Sequence, residues 1–203
     1  MQLACIELEL GQFTQASERL RGVFGFAQDH FITKINKTVL HLWGLAALGA
    51  GNVNEAERIG EELRLSIELA SFPRQMRRHD HLMGSIALAE GRTDQAVRLL
   101  EHAASLLHAQ RDNGDEQAFF EDALARAYYQ SGSWTKAEKA YRGIIDLTTG
   151  RLLWGDIYAR SFYWLGKIAQ KTRDVSAARA HFEDFLRLWQ DADGGLPEVE
   201  DAR

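Results

Sequence analysis

The sequence predicts an all-α protein made of about five stacked helical hairpins, and three observations predict it. Only two prolines, Pro73 and Pro197, interrupt the 203 residues, and the runs between glycine-marked breaks are rich in Ala, Leu, Glu, Arg and Gln, all good helix formers. The chain also repeats itself. Leu10-Gly11-Gln12-Phe13, Ala50-Gly51-Asn52-Val53, Glu90-Gly91-Arg92-Thr93, Ser131-Gly132-Ser133-Trp134 and Thr172-Arg173-Asp174-Val175 align, placing a turn residue at 11, 51, 91, 132 and 173 with intervals of 40, 40, 41 and 41. Finally, an alanine stands five residues after every turn, at Ala16, Ala56, Ala96, Ala137 and Ala178.

These positions are the ones that two antiparallel helices need. A glycine just past a helix end takes the left-handed C-cap conformation, and a small residue lets the next helix approach closely. Seven residues before each turn comes another small residue, Ala4, Gly44, Gly84, Ala125 or Gly166, preceded by Leu3, Trp43, Met83, Leu124 or Leu165. Four beyond the alanine an apolar plug is expected, and Leu20, Leu100, Tyr141 and Phe182 supply it, with Gly60 as the one gap.

Taken in order, the period places a partial first helix at 1–10 with its partner at 13–28. Pairs follow at 33–49 and 53–70, 73–90 and 93–110, 115–131 and 134–147, and 155–172 and 175–190. Pro73 suits a first helical turn, and Gly114-Asp115 suits a loop entering the fourth pair. The repeat array therefore spans 1–190. Residues 191–203 form a linker, Asp191-Ala192-Asp193-Gly194-Gly195, and the start of a C-terminal capping helix beyond Pro197, as repeat arrays need to cover a last apolar face. A chain that opens inside a helix of the period is expected to be part of something longer.

The repeated residues resemble the tetratricopeptide repeat (TPR), whose signature runs W-x-x-L-G-x-x-Y, then A-x-x-x-F, then P. The fifth repeat matches best, with Phe162-x-x-Leu165-Gly166-x-x-Ala169 and Ala178-x-x-x-Phe182, and the fourth follows with Leu124, Ala125, Tyr128, Ala137 and Tyr141. The resemblance covers nearly the whole chain and implies a right-handed α-solenoid acting as a scaffold for protein partners. Two departures imply longer helices and less standard turns: the repeat is about six residues longer than the usual 34, and the terminal proline is absent from all five. More narrowly, Leu147-Thr148-Thr149-Gly150-Arg151, Gly155-Asp156-Ile157-Tyr158 and Leu186-x-Leu188-Trp189-x-Asp191-Ala192-Asp193 look like the C-terminal TPR modules of large bacterial multidomain proteins. There, such repeats follow a serine/threonine kinase-like domain or a Tol-type β-propeller.

Composition narrows the function classes. A net charge of −5 provides no global basic field for nucleic acid or anionic membranes, so no nucleic-acid partner is expected. No stretch approaches the roughly 20 apolar residues that span a bilayer. The single cysteine, Cys5, can neither pair internally nor build a Cys-based metal site.

Chemistry is sparse. His79-Asp80-His81 looks like a ligand cluster, but residues i and i+2 of a helix point about 200° apart, so the two histidines do not share one ion easily. His41 and His81 hold the same repeat position one period apart and are expected to line the same face of adjacent helices, at a spacing of roughly 8 to 10 Å between axes that is long for two direct ligands. Gly44, Gly49 and Gly51 follow no strand, so no phosphate loop is read. Glu61-Glu62 and Glu116 with Glu121 read as solvated carboxylates. No enzyme signature, metal or cofactor is expected.

The remaining candidate is the face that the resemblance assigns to ligands, the concave groove lined by the first helix of each pair. Its extrapolated positions are Thr38, His41 and Leu45; Arg78, His81 and Ser85; Phe119, Asp122, Arg126 and Tyr129; and Arg160, Tyr163, Trp164, Lys167 and Lys171. Arg126, Arg160, Lys167 and Lys171 beside Tyr129, Tyr163 and Trp164 form the mix that anchors a carboxylate-bearing or acidic peptide. A plainer reading stands beside it, in which the cations solvate long helices and the aromatics fill the inter-repeat core. The Lys and Asn combination of the two-carboxylate clamp is absent, so a chaperone-tail ligand is not expected. An alternative function is homo-oligomerisation, possible as a homodimer, through the outer helices or the unsealed first repeat.

Overall fold

Gly11, Gly51, Gly91 and Gly132 all adopt φ between 70° and 80°, and Arg173 takes the same left-handed conformation at 64°. Two backbone bonds close each turn. At the second, the Gly51 N–H donates to the Leu48 carbonyl and the Asn52 N–H to that of Ala47, both at 2.9 Å. At the fifth, the Arg173 N–H donates to Gln170 at 3.2 Å and the Asp174 N–H to Ala169 at 2.9 Å. This is the Schellman closure, which satisfies the helix's last carbonyls. Asn52 and Asp174 then cap the following helices, accepting from the N–H groups of Glu55 and Ala177 at 3.3 and 3.0 Å.

In a computed structural model, these turns join helices throughout the described residues, which are 2–30, 33–107, 116–147, 154–190 and 196–203, with backbone only at 33–36. The helices are α1 (Gln2–Glu9), α2 (Phe13–Asp29), α3 (Thr33–Gly49), α4 (Val53–Leu69), α5 (Met76–Ala89), α6 (Thr93–Ser105), α7 (Gln117–Gln130), α8 (Trp134–Asp146), α9 (Gly155–Thr172), α10 (Val175–Leu188) and α11 (Pro197–Ala202). No strand occurs among the described residues. The expected helix at 73–90 opens with a 3-10 turn, Pro73–Gln75, before α5. The expected helix at 93–110 ends at Ser105. The linker at 191–195, the loop at Gly114-Asp115 and residues 148–151 of the narrower motif lie outside the described residues.

The chain divides into two compact units, Met1–Leu107 and His108–Arg203. In the first, each helix packs on its neighbour in sequence, and α3 also packs on α5; in the second, α9 packs on both α8 and α7 as well as on α10, and α11 rests against α10. First helices of successive hairpins therefore meet in each unit.

Ala16, Ala56, Ala96, Ala137 and Ala178 are all buried, as their spacing requires. The paired glycines mark the closest approaches: a Cβ on Gly84 would sit 2.6 Å from Leu100 Cγ, and one on Gly166 would sit 2.6 Å from Phe182 Cε1. The gap at Gly60 is filled from the next hairpin. On α5, Met83 closes over Gly60, where a Cβ would come within 2.8 Å of its Sδ, and the adjacent Leu82 closes over Gly44, where a Cβ would come within 2.4 Å of its Cδ2. A missing plug thus becomes a lock between repeats. Leu3 departs from its equivalents, being 58% exposed while Trp43, Leu124 and Leu165 are buried; α1 has α2 as its main neighbour among the described elements.

Candidate functional site

On α9, Asp156, Arg160, Tyr163 and Lys167 follow one another at intervals of four, three and four, which puts them on one helix face. Arg160 is shared between two carboxylates. Its Nη1 lies 3.3 Å from Asp156 Oδ2, and its Nε lies 3.4 Å from Glu198 Oε1 on α11. The Tyr163 hydroxyl and the Lys167 ammonium both donate to Asp201 Oδ2 at 2.8 Å, and Lys167 Nζ also stands 5.9 Å from the Tyr163 ring centre. These two donors hold the Asp201 carboxyl below its usual range, while burial pushes the Tyr163 phenol up. Lys171 is exposed in the last turn of α9.

One hairpin earlier, Arg126 Nη2 pairs with Asp122 Oδ2 at 3.0 Å, with the arginine side chain 49% exposed and the aspartate 14%. Burial raises the Asp122 carboxyl, and the facing Arg126 draws it back down. The aromatics knit α7, α8 and α9 together. Tyr129 lies 5.1 Å from Trp134 and 5.0 Å from Trp164, whose ring also stacks at 9° on Tyr141 and stands 5.3 Å from Tyr163. Tyr163 in turn packs on Phe182 and Phe185 of α10.

In the first unit the expected positions meet as a buried polar seam. His41 Nε2 and His81 Nδ1 are 3.0 Å apart, at 1% and 2% exposure. One ring N–H donates to the other's bare nitrogen. Arg78 is also buried and donates from Nε to Gln75 Oε1 at 3.1 Å. His79 turns away from His81, as the two-residue spacing requires, and its Nδ1 lies 2.9 Å from Asp80 Oδ1; Asp80 Oδ2 takes His102 Nδ1 from α6 at 2.6 Å. No group of three or more His, Cys, Asp or Glu that could hold a metal occurs among the described residues. Glu121 differs from the solvated carboxylate expected of it. It accepts from Gln117 at 2.7 Å and lies partly buried over α8, which raises its carboxyl.

Arg160, Tyr163 and Lys167 are therefore brought to one place, Tyr129 and Trp164 to the aromatic cluster beside it, and Arg126 to an ion pair on α7. Arg78 and His81 lie inside the other unit. Sequence reasoning missed Asp156, Glu198 and Asp201. Asp156 could have been found from its place four residues before Arg160, whereas Asp201 lies 38 residues beyond Tyr163 and 34 beyond Lys167, intervals that the 40- to 41-residue period does not pick out.

No family model matches this sequence, and neither does any curated protein. Solved structures do match. BtubC (BKLC) from P. vanneervenii superposes with a TM-score of 0.66 at 19% identity, covering 97% of this chain and 78% of that one. A kinesin light chain-like protein of Podosopora anserina with nearly identical TPR-like repeats gives 0.59 at 18%, covering 94% and 92%. The MamA RS-1 ArsTM double mutant gives 0.56 at 18%, covering 96% and 94%. The chain has the TPR-like helical-repeat fold. No helix among the described residues is long and apolar enough to cross a membrane.

Proposed function

We propose that this chain is a non-enzymatic protein-interaction scaffold, a sensor or assembly module of a larger protein, whose second unit docks a carboxylate-bearing peptide on the inner face of α7 and α9. The observation that carries the reading is the set Arg160, Tyr163 and Lys167, which holds two carboxylates of another helix at 2.8 to 3.4 Å. Arg126 and Lys171 extend the cationic face along the same two helices. The half-buried Tyr129 and Trp164 give a bound segment apolar footing. Such a face holds a partner by charge-assisted bonds and moves no bond within it.

The test is binding of unstructured peptide pools sorted by charge. Acidic pools bind the wild type, weaken as the Debye length shrinks below about 10 Å at 0.1 M salt, and fail on an Arg126→Ala, Lys167→Ala variant. Equal binding by the variant would leave these cations as ordinary surface charge.

A second reading, self-association, is favoured by an apolar stripe on α1. Leu3, Ile6 and Leu10 are 58%, 49% and 66% exposed and stand at i, i+3 and i+7. Light scattering on the eluting protein at tens of micromolar is expected to give a dimer mass that an Ile6→Glu change returns to monomer. A strict monomer in the wild type sinks this reading.

A further inference from the structure

α11 is six residues long, below the length at which a helix is stable alone in water. Its order comes from what it rests on, and that footing is small. Val199 is buried in a cluster with Tyr163, Phe182 and Phe185, and Leu196 and Ala202 pack at its edge. The rest of the attachment is two carboxylates, Glu198 on Arg160 at 3.4 Å and Asp201 on Tyr163 and Lys167 at 2.8 Å. These ion pairs are wet: the Asp201 side chain is 46% exposed and that of Glu198 28%. Solvent and salt weaken pairs of this kind. A helix held by one apolar plug and two screened carboxylates belongs to the low-stability end of a structure, where local opening costs least.

Charge tells the same story. Glu198-Val199-Glu200-Asp201 is an acidic segment lying on the face that carries Arg160 and Lys167, so the side chains that would receive an acidic partner are already engaged in cis. We infer that α11 is a displaceable occupant of a docking face for a partner's helical segment, and that it displays the pattern the face reads: an acidic residue, an apolar residue directly after it, and a second acidic residue three positions beyond the first. The partner's two acids take Arg160 and the Tyr163–Lys167 pair, and its apolar residue enters the space that Val199 fills. This rests on the carboxylate-docking reading of α9 and adds the shape of the partner and the segment that must leave. Because α11 belongs to the same chain, it competes for α9 intramolecularly, at an effective concentration on the order of millimolar, so a partner must either bind more tightly than α11 or arrive when α11 is weakened.

The experiment uses the full chain and a Glu198→Gln, Asp201→Asn variant, which neutralises α11 and leaves every side chain of α9 in place. The probe is a labelled synthetic peptide, Leu-Pro-Glu-Val-Glu-Asp-Ala-Arg, followed by anisotropy, with a control in which its acids are lysines. The variant is expected to bind the peptide about tenfold more tightly than the wild type; adding Lys167→Ala removes the gain, and the lysine control binds neither protein. Hydrogen exchange on the wild type supplies a readout that needs no variant: saturating peptide raises exchange at residues 196–203 and protects α9. Equal affinity for wild type and variant, or undiminished protection of 196–203 under saturating peptide, overturns the inference while the carboxylate-docking reading stands. Absence of binding to either protein overturns both.

Discussion

Tyr141→Ala is expected to destabilise the second unit by about 3 to 5 kcal/mol. Tyr141 is completely buried on α8, in a cluster with Ala118 and Ala125 of α7, Ala137 and Ile144 of its own helix, and Ile157, Leu165 and Ile168 of α9. It is the plug at which three helices meet, and alanine there leaves a cavity that the rigid helix backbones cannot close. The loss should reach the docking face as well. Tyr141 stacks on Trp164, which touches both Tyr129 and Tyr163, so the truncation removes the floor under the aromatic row.

Tyr141→Phe separates packing from polarity. The hydroxyl is buried without a hydrogen-bond partner, and burial pushes its phenol far above the ordinary range, with the Asp122 carboxylate adding to the effect. It therefore stays protonated and donates to nothing. Burying an unsatisfied polar group costs about 1 to 3 kcal/mol, so removing only the oxygen should leave the unit unchanged or raise its stability by about 1 kcal/mol. Urea unfolding followed by tryptophan fluorescence measures both variants, since Trp134, Trp154, Trp164 and Trp189 all lie in this unit. A Phe variant weakened as much as the Ala variant would mean that the hydroxyl has a partner.

How much of this could be read in advance divides along physical lines. Local geometry was legible: the left-handed turns need a residue free to take positive φ at a fixed interval, and four glycines announced it. Arg173 took the fifth turn without being glycine, and only the period revealed it. Close approaches were also legible, because Gly84 and Gly166 stand opposite Leu100 and Phe182. What a single repeat cannot encode is where a neighbour's side chain goes. Gly60 looked like a missing plug until Met83 proved to fill it from the next hairpin. The same limit applied to function. The interval showed that His41 and His81 share a register, but their burial depends on α3 and α5 closing over them. Lys167 was read as an open cation because its acidic partner lies 34 residues downstream, and Arg160 shares a second carboxylate on that same helix, of which the sequence showed only a proline and a few acids.

The buried histidine seam makes the first unit sensitive to acid. His41 is held well below the ordinary histidine range, first by burial and then by the nearby His81, Arg78 and Arg77 of α5. The sign follows from the depressed value. Above about pH 6.5 both folded and unfolded chains carry a neutral His41, and the full stability is present. As pH falls below that point the unfolded chain takes up a proton that the folded chain refuses, and stability drains until the depressed pKa is reached. Carboxylates held low in this unit, Glu7, Glu55 and Glu61, are each paired with an arginine and add their own loss only in stronger acid. In the second unit the signs are mixed, because burial lowers His181 but raises Glu121 and Asp122, and raised carboxyls favour the folded state as pH drops. From about pH 7.5 down to about pH 5.5, hydrogen-exchange protection factors, corrected for the slower intrinsic exchange in acid, should therefore fall in α3 and α5 ahead of α7 to α10. His41→Gln keeps a group that can bond to His81 Nδ1 yet cannot titrate, so it should flatten the response. Equal protection of α3 and α5 at both pH values would show that the pair accepts its proton without opening the seam.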